Sequence, residues 1–271
     1  MNEKPVVVGL ADYQPELFRF ALDEARRLNT GLRVVHAQSN AEMREVGDWN
    51  HELFDQLRAV AAAEPDVKGV GYCSWQGEPI DVLISESRGA CEVVVGTDEV
   101  PWLARVTGAE VARQVAMKAF CPVVVAPPQE PSAQRAGGIV VAIDTSDDVD
   151  APLRYAFETA LRRGESIQVV EAVGPRVDYA ARDARRHRLE DVVAPWRELY
   201  PEVRVRPVVE GTRAVAACVL ATRDASLLVL GRPRDHHAPM SLDAVAARVL
   251  RRTQTPVAVV PLLAIEEAVA S

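Results

Sequence analysis

The chain has 271 residues, 48% of them hydrophobic and 26% charged, with a formal net charge of −8. That length suits two domains of ordinary size, and the composition supports normal buried cores. No apolar run approaches the ~20 residues that span a bilayer, and the negative balance repels polyphosphate chains, which argues against nucleic-acid binding.

The opening MNEKPVVVG has one lysine, a short apolar run and no small-residue cleavage site, so it is expected to be a first strand and not a leader. Pro5–Ala11 reads as a buried strand. Pro15–Leu28 follows as a helix, with Leu17, Phe18, Ala21, Leu22, Ala25 and Leu28 at helical spacing and Gly31 as its stop. Leu32–Ala37 is the second strand, Ala41–Glu64 a long helix ended by Pro65, and Val67–Ser74 the third strand. Gly77–Arg88 is a helix with Pro79 in its first turn, Glu92–Gly96 the fourth strand, Thr107–Ala119 a helix and Cys121–Ala126 the fifth strand. PPQEPSAQRAG, over 127–137, is the one stretch with the composition of a linker.

The order then repeats. Strands are expected at Gly138–Asp144, Ser166–Val173, Val203–Val209, Leu227–Gly231 and Pro256–Val260. Helices are expected at Val149–Arg163, Tyr179–Tyr200, Thr212–Arg223 and Ser241–Arg252. Landmarks keep a nearly constant offset between halves: Gly31 and Gly164, Gly77 and Gly211, Gly96 and Gly231, Pro122 and Pro256. A sustained offset marks a duplication, here domains at 1–127 and 138–271 joined by a linker at 128–137. Alternating strands and helices with unbroken apolar strands predict parallel sheets covered on both faces, each a doubly wound α/β domain.

The openings PVVVG and IVVAID, the LLVLG fourth strand and the closings VARQVAMKAFCPVVVAP and VAARVLRRTQTPVAVVP resemble the universal stress protein family, as two tandem copies. The resemblance implies two Rossmann-like five-stranded domains of the adenine nucleotide alpha hydrolase type, with fifth strands pairing across a pseudo-two-fold. An unpaired apolar fifth strand would be an aggregation edge. It also implies a division into ATP-binding and non-binding members. Binders carry an Asp at the end of the first strand, a Gly-x-x-Gly segment after the fourth, and a Gly-Ser or Gly-Thr pair opening the fourth helix. Glycines let backbone approach phosphate, and a helix N-terminus offers free N–H groups to an anion.

Those positions can be read twice. In the first half the strand-end position is Ala11, with Asp12 beside it; Gly96 is kept, Glu99 replaces the second glycine, and Ala109–Glu110 replace the Gly-Ser pair. In the second half Asp144 is kept, followed by Thr145, and Ala172 ends the neighbouring strand. Gly231 and Arg232 end the fourth strand, Arg234 replaces the second glycine, and Asp243–Ala244 replace the pair. Thr107 and Glu110 have capping-box spacing, and Ser241 with Asp243 can serve the second helix likewise. A carboxylate in such a first turn stabilises the helix by about 0.3–1 kcal/mol and repels phosphate. The first half is therefore expected to bind no nucleotide and the second to bind weakly or not at all. The alternative is ATP in the second half, held by Asp144, Gly231 and Arg234, with slow hydrolysis.

Other residues have plainer expectations. Cys73, Cys91, Cys121 and Cys218 lack metal or redox spacing and read as buried small hydrophobes. His36 reads as a packed strand-end residue. The run Arg182–Arg188 reads as a solvated helix face with i,i+4 pairs. Trp49, Trp75, Trp102 and Trp196 form no stacking ladder, and Trp102 with Leu103 makes an apolar loop that covers the first-half site or contacts a partner. The loop Arg232–Met240, with His236 and His237, reads as solvated and holds no metal. No nucleophile–base set, Walker lysine or dinucleotide loop is present. The expectation is a non-catalytic cytoplasmic regulatory module that needs no cofactor. Its partners would be another protein or a second copy, with no nucleic acid and no membrane.

Overall fold

Runs of β-branched residues set the architecture. Val6, Val7, Val8, Val93 and Val94 are fully buried, as are Ile139, Val141, Leu227 and Val229, so both faces of these strands are covered. The computed structural model describes residues 3–38, 49–64, 67–97, 108–128, 137–232 and 242–261. The chain divides into two units, Met1–Pro131 and Ser132–Ser271.

Unit 1 runs β1 (Val6–Gly9), α1 (Pro15–Arg27), β2 (Leu32–Gln38), α2 (Trp49–Ala62), β3 (Val70–Gln76), α3 (Pro79–Glu86), β4 (Glu92–Gly96), α4 (Gly108–Lys118) and β5 (Val123–Ala126). Its strands are parallel in the order β3-β2-β1-β4-β5, with Val8 level with Val34 on one side and Val94 on the other. Unit 2 runs β6 (Ile139–Ala142), α5 (Asp150–Arg163), β7 (Ile167–Ala172), α6 (Tyr179–Leu199), β8 (Val205–Glu210), α7 (Ala214–Ala221), β9 (Leu227–Arg232), α8 (Leu242–Leu250) and β10 (Val257–Pro261). Its order is β8-β7-β6-β9-β10, again parallel. In each unit the chain reverses direction across the sheet after its third strand. The carboxyl ends of β1 and β4, and of β6 and β9, therefore border the crevice where open α/β sheets hold ligands.

Boundaries shift where local chemistry differs from the sequence pattern. The third strands start and end later than expected, and Ser87–Gly89 forms a separate 3-10 turn after α3. Helix α5 stops as expected at Gly164, left-handed with φ 64°. Helix α1 does not use Gly31 this way: Asn29 takes the left-handed conformation, φ 52°. Helix α6 is capped by Asp178, whose Oδ1 accepts from the Ala181 amide at 2.8 Å, and it continues through Pro195. The expected start of the second helix at 41 lies outside the described residues.

Trp196 is a packing residue. Its ring stacks on Phe157 at 5.6 Å and 26°, and lies nearly parallel to Tyr200 at 6.3 Å and 12°. Phe157 and Tyr200 are 5.4 Å apart, so three rings join α5 to the end of α6. The spacing of α6 brings Trp196 and Tyr200 to one face, four residues apart.

Candidate functional site

In unit 1 the crevice is open, with about 600 Å³ of free space, mouth included. Gly9, Leu10 and Ala11 from the end of β1, Val35 and Ala37 from β2, and Val95 and Gly96 from β4 form its floor. Pro79 and Leu83 of α3 and Gly108 and Val111 of α4 form its walls, and among the described residues Gln14 is the one polar side chain that lines it. Of the first-half candidates, Ala11 and Gly96 line this space. Asp12, Ala109 and Glu110 are not among the lining residues. Asp12 instead accepts from the next amide, Tyr13 N, at 2.6 Å.

Gly9 is small for a packing reason. A Cβ there would stand 2.8 Å from Leu83 Cδ1, so Leu83 lies across the strand end. In unit 2 the equivalent strand end is Ala142, and the equivalent fifth residue of α7 is Cys218. Where unit 1 has glycine on the strand and leucine on the helix, unit 2 has the larger alanine on the strand and the smaller cysteine on the helix. Burial pushes the Cys218 thiol up to about 11, which keeps it inert.

Glu110 lies in the first turn of α4, but its carboxylate points along the helix. It accepts from Arg113 Nε at 2.9 Å, Arg113 Nη2 at 2.6 Å and Gln114 Nε2 at 2.9 Å. The Arg113 hydrogen bonds, joined by those of Gln114 and by charge, outweigh desolvation and lower its pKa to about 2. Thr107, the other half of the expected capping box, lies outside the described residues. A carboxylate with a lowered folded pKa adds stability above its unfolded value near 4.3, and loses it as pH falls through about 2. The group is well exposed, so the amount is only about 0.3–0.5 kcal/mol. A carbon-detected NMR titration is expected to find the Glu110 midpoint near 2, and Glu110→Gln to lower stability slightly at pH 7 but not at pH 2.

In unit 2 the retained Asp144 is already engaged. Its Oδ1 accepts from Ser146 N at 2.9 Å and Ser146 Oγ at 2.6 Å, and Arg185 Nη1 stands 3.6 Å away. Burial would raise this carboxyl, but the two Ser146 bonds and the Arg185 charge together hold it below its usual value. Asp147 is raised, first by burial and then by the charge of Asp144.

Arg185 also reaches deeper. Its Nη1 donates to Glu171 Oε1 at 2.7 Å, and Thr145 donates to the same oxygen from N at 3.2 Å and from Oγ1 at 2.9 Å. The Glu171 side chain is 2% exposed, and its Oε2 has no hydrogen-bond partner among the described residues. Arg182 lies against Gly211, where a Cβ would come within 2.0 Å of its Nη2. The basic run on α6 is therefore only partly the solvated face that its spacing suggests. Arg186 pairs with Asp183, but Arg182 and Arg185 bend over the carboxyl ends of β8 and β7. Glu171 and Arg185 belong to no sequence motif. The available signal was a lone acid inside the apolar run IQVVEA, at the position where β2 carries His36. His36 is equally buried, at 1% exposure, with Nδ1 2.9 Å from Leu10 O, as expected for a packed strand-end histidine.

The remaining second-half candidates are less defined. Thr145 is tied to Glu171, Ala172 ends β7 level with Glu210, and Gly231 and Arg232 end β9. Asp243 and Ala244 fall in the first turn of α8, with side chains outside the described residues. Glu99, Trp102, Leu103, Arg234, His236, His237 and Ser241 lie outside them entirely. Among the described residues, no group of three or more His, Cys, Asp or Glu is placed to hold a metal, and no helix is long and apolar enough to cross a membrane. None of the four cysteines forms a disulfide; Cys121 and Cys218 are buried and Cys73 and Cys91 partly exposed.

The profile of the universal stress protein family matches residues 3–127 and again 137–261. Universal stress protein Rv3134c of Mycobacterium tuberculosis is 32% identical over 208 residues, covering 72% of this chain and 75% of that protein. Universal stress protein Rv2623 of the same organism is 28% identical over 288 residues, covering 94% and 95%. A solved universal stress protein from Archaeoglobus fulgidus shares the fold, with a TM-score of 0.69 at 14% identity over 96% of this chain and 97% of that one. Two matches to one family profile, in the two halves that the offset delimits, place this chain in the universal stress protein family with its domain present twice.

Proposed function

We propose that this tandem universal stress protein is a non-catalytic cytoplasmic regulatory module that acts through protein contacts and requires no nucleotide. Its working units are the domains at 1–127 and 138–271, with 128–137 as linker. One observation carries the reading. The crevice of unit 1 presents Ala11 where a nucleoside would need a carboxylate, and among the described residues its lining is apolar apart from Gln14. A triphosphate buried there would leave its charges without partners, a loss of several kcal/mol. Gly108 does open α4 beside this space, but one helix end surrounded by apolar side chains is a poor match for ATP.

Unit 2 supports a second reading, as an adenine-nucleotide sensor with at most slow hydrolysis. Asp144 is retained and half-exposed, so a ribose hydroxyl has access to it. Competing against this, Asp144 already serves Ser146, and Arg185 is shared with Glu171. Isothermal titration with ATP and Mg²⁺ separates the two. No heat, or saturation only near millimolar, is the expected result, and micromolar binding at one site per chain overturns the first reading. If such binding occurs, its disappearance in Asp144→Ala assigns it to unit 2.

A further inference from the structure

The duplicated chain carries two equivalent sheet edges, and they are built differently. In unit 1, Leu32 N donates to Gly69 O and Gly77 N donates to Gln38 O, both at 2.9 Å. Odd-numbered residues of β3 therefore turn their backbone groups toward β2, and Val70, Tyr72 and Ser74 turn theirs outward. In unit 2, Ile167 N donates to Arg204 O at 2.8 Å and Val173 N to Glu210 O at 3.0 Å. Even-numbered residues of β8 face β7, so Val205, Pro207 and Val209 face outward.

The outward triplets correspond position by position, and the middle one decides the matter. Tyr72 in β3 has an N–H to offer, whereas Pro207 in β8 has none. Beside it, Arg197 Nη2 donates to Val205 O at 3.4 Å, occupying the first outward carbonyl, and Arg204 and Arg206 add like charge. These are the devices by which proteins close a sheet edge against a further strand. Among the described residues, strand β3 has none of them. Its seven residues, VGYCSWQ, contain no proline and no charge, and Trp75 is 48% exposed. The charges nearby are neutralised in pairs: Lys68 with Glu3 at 2.7 Å and Arg58 with Asp55 at 2.6 Å. Tyr72 packs on Phe54 at 5.4 Å and lies under Arg58, which holds the strand against α2 and leaves its edge presented.

We infer that the β3 edge is the self-association surface of this protein, where two copies pair antiparallel, β3 against β3. A second copy is the occupant that the charge pattern fits. The chain as a whole carries −8 and repels its own kind, and β3 is an uncharged strip on which two copies meet without like charges facing. An isologous pairing uses each β3 edge once and closes at two chains. One strand pair flanked by Trp75 and Tyr72 is a small interface, so association is weak and concentration-dependent.

Sedimentation velocity of the full chain from about 2 to 200 µM tests this, alongside two variants. Tyr72→Pro copies the unit 2 edge, and Trp75→Lys puts a positive charge on the uncharged strip of each copy while altering only an exposed side chain. The wild type is expected to shift from monomer to dimer across that range, and each variant to weaken dimerisation by about tenfold or more. Circular dichroism checks that the variants keep the fold; should Tyr72→Pro fail to fold, Trp75→Lys decides alone. A wild type that stays monomeric at 200 µM, or a dimer undiminished by the folded variants, overturns the inference. Nucleotide binding plays no part in this test, so it stands apart from the functional reading above.

Discussion

Replacing Arg185 by alanine is expected to destabilise unit 2 by roughly 2–4 kcal/mol, among the larger effects available to a single residue outside the hydrophobic core. Glu171 is almost completely buried, and among the described residues Arg185 is the only cation bonded to it. Without the guanidinium, the carboxylate keeps the Thr145 amide and hydroxyl but loses the charge that offsets its desolvation. Removing one partner of a fully buried pair costs about 3–5 kcal/mol, and the partial exposure of Arg185 reduces this. Thermal and urea unfolding followed by circular dichroism measure the loss. The double variant Glu171→Gln with Arg185→Ala should recover much of it, because a neutral amide can still accept from Thr145 and carries no charge to strand. A single variant as stable as the wild type, or a double variant no better than the single one, would show that the pair does not hold this loop.

The same pair shows where sequence reading stops. The strands were legible because parallel strands covered on both faces must be apolar throughout, and Val6–Val8, Val93–Val95 and Leu227–Leu230 have no other plausible location. The duplication was legible because glycines and prolines at turn positions tolerate few substitutes, so the offset survived in them. Arg185 was not legible. Its neighbours Asp183, Arg186 and Glu190 supply the local partners of an ordinary exposed helix, and nothing within α6 says that one arginine of the run leaves it for an acid in β7. Long side chains choose among partners in three dimensions, and helical spacing reports only the local ones.

The candidate site was half legible. The loss of the strand-end carboxylate at Ala11 could be read directly, and Ala11 does line the unit 1 crevice. The role given to Glu110 was harder to foresee, because a first-turn acid can turn toward the ligand space or along its own helix. Arg113 and Gln114, three and four residues on, draw it along the helix. The apolar character of the crevice comes from residues dispersed through the sequence, Val35, Leu83 and Val111 among them, whose convergence depends on the β2-β1-β4 order. Pro207, by contrast, was a readable sign. A proline inside a strand belongs at an edge with its missing N–H turned outward, which is where β8 places it.

Phe157→Ala should produce the largest loss of stability, about 3–5 kcal/mol, equivalent to a fall in Tm of roughly 10–15 °C. Phe157 is fully buried, and its ring is shared by Trp196 and Tyr200, which approach from the far end of α6. Deleting the ring removes its transfer energy and leaves a void that neither neighbour can easily fill. Trp196 and Tyr200 already lie nearly parallel to each other, and tilting one into the gap would break that arrangement. The effect should reach beyond α5, because the three rings are where the last turn of α6 meets the body of the unit. Phe157→Leu, which keeps most of the apolar volume but not the flat face, is expected to lose about half as much. Near-ultraviolet circular dichroism should separate the two losses: Trp196 gives a strong signal only while it is held between rings, so Phe157→Leu should weaken that band even where the melt remains cooperative. If Phe157→Ala melted within a few degrees of the wild type, the stack would be a surface feature and not the fastening of α6.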